Sequence, residues 1–154
     1  MNYTLRPATH SDRATVEKLV FGVLAEYGLI PAPESTDSDL QDIDASYTGS
    51  GGAFDVLVDE SGQVLGTVGL FRLSTSTCEL RKMYLARPAR GHGLGRRLLE
   101  HALGRAKALG FSRVVLETAS VLREAVALYE SRGFQPYAPE HLAARCDTGY
   151  FLDL

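Results

Sequence analysis

The sequence predicts an α/β domain: a twisted, mixed, mostly antiparallel sheet flanked by helices. Two observations carry that expectation. From Glu79 to Gly110 the chain reads as a strand, a basic glycine-rich turn and a long amphipathic helix, and the β-branched run Arg113 to Thr118 follows directly. A strand–helix–strand unit of this kind demands a right-handed parallel crossover. Upstream, three strand-like runs between Phe54 and Leu85 are separated only by turn residues, the mark of an antiparallel meander. Parallel pair and meander together give a mixed sheet. With 154 residues and neither an internal repeat nor a linker, one domain over residues 1–154 is expected.

The elements follow in order. Asn2 to Pro7 reads as a first strand, and Thr9 with Asp12 forms a capping-box-like helix start. Val16, Leu19, Val20, Val23, Leu24 and Tyr27 share one face of the helix that follows, which Gly28 and Pro31 end. Residues 32–53 are polar, with a short helix around Leu40, Ile43 and Tyr47. The meander runs Phe54–Val58, Val64–Leu73 and Cys78–Leu85. The next helix should bury Leu94, Leu98, Leu99, Ala102, Leu103, Ala106 and Leu109, with Gly110 as its cap. Leu122 to Arg132 reads as a helix stopped by Gly133, and Phe134 opens a final hairpin with Thr148 to Leu152.

Composition narrows the function classes. The net charge of −3 and the lack of a basic stripe argue against a nucleic-acid partner. Apolar runs are too short and interrupted for a membrane span, and Met1 leads straight into a strand pattern rather than a signal peptide. Cys78 and Cys146 lack metal-ligand or C-x-x-C spacing, so no metal is expected and a reducing cytoplasm is the natural setting. A homodimer is compatible with base rates.

The turn Arg90, Gly91, His92, Gly93, Leu94, Gly95 stands where a helix presents unpaired N–H groups. Those donors and the positive end of the helix dipole suit a phosphate or pyrophosphate. Two kinds of site fit. A dinucleotide turn wants G-x-G-x-x-G and an acid about 20 residues on; the third glycine falls one residue short here, although Glu117 ends the next strand. The alternative is R/Q-x-x-G-x-G/A, matched by Arg90, Gly93 and Gly95. A nucleoside-triphosphate loop is excluded, since no G-x-x-x-x-G-K-[ST] occurs.

The surroundings separate the two. R-G-H-G-L-G, then RVVLET, then EAVALYESRGF resembles the GNAT superfamily of acyl-CoA-dependent N-acyltransferases, over Cys78 to Phe134 and, more loosely, the opening strand and helix. The resemblance implies a GNAT-like sheet, acetyl-CoA as acyl donor and an amine as acceptor. It places the pyrophosphate on the N–H groups of residues 91–96, with Arg90 and Arg96 adding charge and His92 lending its backbone. It pairs the backbone of Met83, Tyr84 and Leu85 with the pantetheine arm. One departure stands out: where many relatives carry an asparagine that helps hold the cofactor arm, this chain has Leu122.

Acetyl transfer requires a deprotonated amine, donors for the oxyanion and a proton for the departing thiolate. A lysine-like ammonium has a pKa near 10.4, so only about one part in 2,500 is free base at pH 7. A carboxylate within reach, directly or through water, helps supply it. Glu79 is the candidate base, sharing strand parity with Arg81 and Met83 if no bulge intervenes; the competing reading is a strand-end charge paired with Arg81 or Lys82. Tyr129 is the candidate acid, where the resembled family places a tyrosine near the acyl-CoA sulfur; the competing reading is a core aromatic. Backbone N–H groups near Met83 to Leu85 are the candidate oxyanion donors, provided that strand splays from its neighbour.

The acceptor is the open question. Glu34, Asp37, Asp39, Asp42 and Asp44 either attract a cationic amine or simply decorate a solvated helix face. Arg72, Arg81 and Lys82 favour instead an acceptor bearing a carboxylate, such as an amino acid. The expected activity is N-acetyl transfer to a primary amine of a small molecule or peptide by direct attack in a ternary complex. Its rivals are an acyl-CoA-binding sensor without turnover and a small dinucleotide module using Glu117.

Overall fold

The computed structural model describes residues 2–154. Strand β1 (Thr4–Pro7) leads through a 3₁₀ turn into α1 (Arg13–Glu26), and a short helix α2 (Ile43–Ser46) interrupts the polar segment. The meander is β2 (Ala53–Val58), β3 (Val64–Arg72) and β4 (Thr77–Leu85). Then come α3 (Leu94–Ala108), β5 (Arg113–Thr118), α4 (Arg123–Ser131), β6 (Gln135–Tyr137) and β7 (Thr148–Asp153). They form one seven-stranded sheet in the order β1-β2-β3-β4-β5-β7-β6. Every pairing is antiparallel except β4 with β5, the crossover that α3 makes.

Helices cover the sheet on both faces, which is why β2 is buried at every position and β3 at all but its last two. Leu98, Leu99, Ala102, Leu103 and Ala106 of α3 pack with Leu57, Val68, Leu80, Val114 and Leu116 on one face. Val16, Val20 and Leu24 of α1 pack with Phe54, Val56, Leu40 and Tyr47 on the other. Leu109, expected in the core, is exposed because α3 ends at Ala108 and Gly110 turns the chain with φ +92°. On the α3 face Asp55 is a buried carboxylate, met by His101 Nε2 at 2.6 Å and Arg105 Nε at 3.1 Å, so α3 is fastened to β2 by charge as well as by packing. Among the described residues, no helix is long and apolar enough to cross a membrane.

Two irregularities in β4 shape everything that follows. Its parallel pairing with β5 runs only from Thr77 to Glu79, after which the two strands diverge. Its pairing with β3 slips by one residue between Thr67↔Tyr84 and Gly69↔Arg81, a β-bulge. Lys82 is the extra residue and has φ +55°, alone among the described non-glycine residues in the left-handed region. Thr67 Oγ1 donates to its carbonyl at 2.7 Å. The bulge overturns the expected parity: Leu80, Met83 and Leu85 pack toward α3, whereas Arg81, Lys82 and Tyr84 look toward α1. Met83 therefore does not share a face with Glu79.

Candidate active site

The divergence of β4 and β5 opens a cleft of about 580 Å³. Met83, Tyr84 and Leu85 line it from β4, Leu122 from just before α4, Ala125, Leu128 and Tyr129 from α4, and Arg90 and Gly95 from the glycine turn. Beyond Glu79 the β4 edge that faced β5 carries backbone groups with no strand opposite, as oxyanion or amide recognition requires.

Gly91 and Gly93 adopt φ of +81° and +73°, which a side chain would strain. Gly93 caps α3, and the first helical bond of α3 returns from Arg97 N to Gly93 O at 3.2 Å, so the amides before Arg97 point out of the helix end. His92 and Arg96 lie exposed in this turn, while the Leu94 side chain is buried. Arg90 differs from expectation. Its Nε and Nη2 donate to the Leu85 carbonyl at 3.0 and 2.9 Å, and its Nη1 meets Glu26 at 2.8 Å. Its charge is thus matched within the protein, and it braces the end of β4. Arg96 has no side-chain partner among the described residues.

Glu79 and Tyr129 both face the cleft. Glu79 forms a close ion pair with Arg81 Nε, and it also lines the cavity. Tyr129 is packed on one side and open on the other. Its ring packs against Phe134 and Tyr150, 5.7 and 6.4 Å between centroids. Its hydroxyl has no hydrogen-bond partner among the described residues, yet it is not among the sealed polar atoms, so it opens on the cleft. Burial, with the neighbouring Tyr84, pushes its pKa well up and keeps it a proton donor. Tyr84 itself is pushed up to about 12, mainly by burial.

Several site residues carried no signal in the sequence. Asp37 and Asp39, expected either to attract a cationic amine or to decorate a solvated helix face, are buried. Lys82 Nζ lies 3.1 Å from Asp37 and 3.3 Å from Asp39, Arg145 from the β6–β7 loop grips Asp37, and Tyr47 donates to Asp39. Burial alone would raise the Asp37 carboxyl, but Arg145, the Ala32 N–H and the Lys82 charge outweigh it and hold it at about 2. Glu117 lies two residues beyond Val115, the β5 partner of Glu79, and therefore on the same face; its Oε1 accepts from Ala143 N at 2.7 Å. Cys146 lines the cleft as well, its thiol pushed up to about 11 by burial and by Glu117. Cys78 sits in the core with its thiol pushed up to about 12 by burial, an environment that disfavours a nucleophilic thiolate. Among the described residues, no group of His, Cys, Asp and Glu is arranged to hold a metal ion.

A helix start with unpaired amides, a split parallel pair and a tyrosine inside the split are thus brought together. The acetyltransferase (GNAT) family pattern matches residues 22–134. An uncharacterised N-acetyltransferase of Escherichia coli K12, YjgM, is 38% identical over 136 residues, 85% of this chain and 81% of its own length. The structure resembles a GNAT-family acetyltransferase from Staphylococcus aureus Mu50 with a TM-score of 0.92, at 20% identity and 99% coverage of both chains. It also resembles a phosphinothricin acetyltransferase from Sinorhizobium meliloti in complex with acetyl-CoA (TM-score 0.76, 24% identity, 100% of this chain and 89% of that one). This chain belongs to the GNAT acetyltransferase family, and it is an acetyl-CoA-dependent N-acetyltransferase.

Proposed function

We propose that the protein transfers the acetyl group of acetyl-CoA to a primary amine of a small molecule or peptide, by direct attack within a ternary complex. The observation that carries this reading is that Glu79 and Tyr129 line one cleft, from β4 and from α4, on either side of the β4–β5 split. Acetyl-CoA would lie with its pyrophosphate on the amides of residues 91–96 and its pantetheine arm along Met83 to Leu85. Glu79 takes a proton from the ammonium, directly or through water, and the freed amine attacks the thioester carbonyl. The oxyanion is held by β4 backbone N–H groups. As it collapses, the nitrogen gives up its second proton to solvent, the new C–N bond remains, the C–S bond breaks, and the thiolate takes a proton from Tyr129. Solvent then returns Glu79 and Tyr129 to their starting states. Both cysteines are free thiols, which suits a reducing cytoplasm.

Initial rates with both substrates varied test the order of events. Intersecting double-reciprocal lines are expected. Parallel lines, with an acetyl group found on Cys146 by mass spectrometry, would replace direct attack with a covalent intermediate.

A further inference from the structure

Three cations reach the acceptor end of the cleft, and they are not equivalent. Lys82 and Arg145 are spent on internal partners: their side chains are only 4% and 12% exposed, against Asp37 and Asp39. Arg81 is different. Its side chain is 28% exposed, its guanidinium carbon lies 3.8 Å over the Phe71 ring, and its ion pair to Glu79 runs through Nε. Stacking on an aromatic face fixes the plane of the fork, which is how arginine reads carboxylates. Arg72, the other sequence candidate for this role, points its Nε at the Ser74 carbonyl in the β3–β4 turn and does not line the cleft.

The cleft therefore presents an anion and a cation side by side, Glu79 and Arg81. The complementary ligand carries a cation and an anion side by side. Resting on the acetyltransferase reading above, we propose that the acceptor is a free α-amino acid, its ammonium on Glu79 and its carboxylate on Arg81. One carbon joins the two groups in such a molecule, so both sides of the protein's ion pair are answered at once and no buried charge is left unmatched. A diamine answers only Glu79 and leaves Arg81 facing a second cation. A peptide amino terminus carries an amide where the carboxylate should be. The same contact disposes the reacting nitrogen toward the candidate base.

The test compares acceptors at saturating acetyl-CoA, following CoA release and N-acetyl product by mass spectrometry. The panel holds α-amino acids, their methyl esters and amides, short diamines and simple primary amines. An α-amino acid should be the best acceptor, with kcat/KM about 100-fold above its own methyl ester, since loss of a charged hydrogen-bond partner is a large penalty. In Arg81→Gln the acid-to-ester ratio should fall to within about threefold. Thermal stabilisation of that variant by acetyl-CoA shows that it is folded, and calorimetric titration of acid and ester onto its CoA complex gives the ratio even without turnover. Equal use of acid and ester, preference for diamines, or a ratio unchanged by Arg81→Gln overturns the proposal while leaving the acetyltransferase intact. Bound acetyl-CoA with no turnover of any amine removes the parent reading instead.

Discussion

Arg145 and Asp37, 108 residues apart, meet in a two-point ion pair: Nη1 to Oδ2 at 2.8 Å and Nη2 to Oδ1 at 2.6 Å. The contact ties the β6–β7 loop to the segment between α1 and α2, beside the cleft that Arg145 lines. Lys82, from the bulge of β4, joins it from below at 3.1 Å. Two segments far apart in sequence are thus locked to each other and to the sheet.

That lock gives the protein an acid limb. The Asp37 carboxyl is held at about 2, against an ordinary value of 3.8. A folded-state pKa below the unfolded one adds stability above pH 4, and the contribution is lost as pH falls through about 2. The size is about 2 kcal/mol. Urea denaturation between pH 5 and pH 2 should show this loss, and Asp37→Asn should flatten it. The variant should start about 3 kcal/mol lower at pH 7, because Lys82 and Arg145 lose a buried counter-charge.

Glu79→Gln should lower kcat by about 10²–10³-fold, in the range of a lost general base. Tyr129→Phe should lower it by roughly 10–100-fold, because water can replace a thiolate's proton donor more readily. Neither change should move the acetyl-CoA dissociation constant more than about threefold. Stopped-time kinetics paired with calorimetric titration separates the two quantities, and a parallel loss of cofactor affinity would mark either residue as a cofactor contact instead.

Two glycines of the cofactor helix should behave in opposite ways. Gly93 has φ +73°, so Gly93→Val costs about 1–2 kcal/mol of backbone strain and should abolish stabilisation by acetyl-CoA. Gly104 sits within α3, and an added Cβ there meets nothing within 4 Å. Gly104→Ala should therefore raise stability by about 0.5–1 kcal/mol and leave cofactor binding alone. Thermal melts with and without 1 mM acetyl-CoA read both effects.

Leu122 precedes α4 and lines the cleft, at the position where the family resemblance led us to expect asparagine. Leu122→Asn should tighten acetyl-CoA about 3–10-fold, the worth of one added hydrogen bond. Unchanged or weaker binding would show that the arm runs elsewhere in this protein.

The crossover and the meander were legible in the sequence because their signals are local. Alternation marks β4 and β5, a 3.6-residue period marks α3, and glycines mark the turn between β4 and α3. The single-residue bulge at Lys82 had no such signal. A lysine is an unexpected occupant of φ +55°, and it is held there by Thr67 and two buried aspartates that lie far away in sequence. Asp37 and Asp39 were misplaced for the same reason, since a buried acid is distinguished from a solvated one only by its partners. Glu117 was weighed only as a ribose ligand. Its place beside Glu79 depends on the parallel register of β4 with β5, which no local pattern contains.

The three-residue seam between β4 and β5 leaves the sheet as two wings joined at Thr77–Glu79. A ligand whose amides run along the open edge would complete the hydrogen-bond ladder and fasten the wings, so occupancy and foldedness become one linked equilibrium. The supply of acetyl-CoA would then set how long the enzyme survives as well as how fast it works. A pool short of cofactor would open more often at the seam and be degraded sooner.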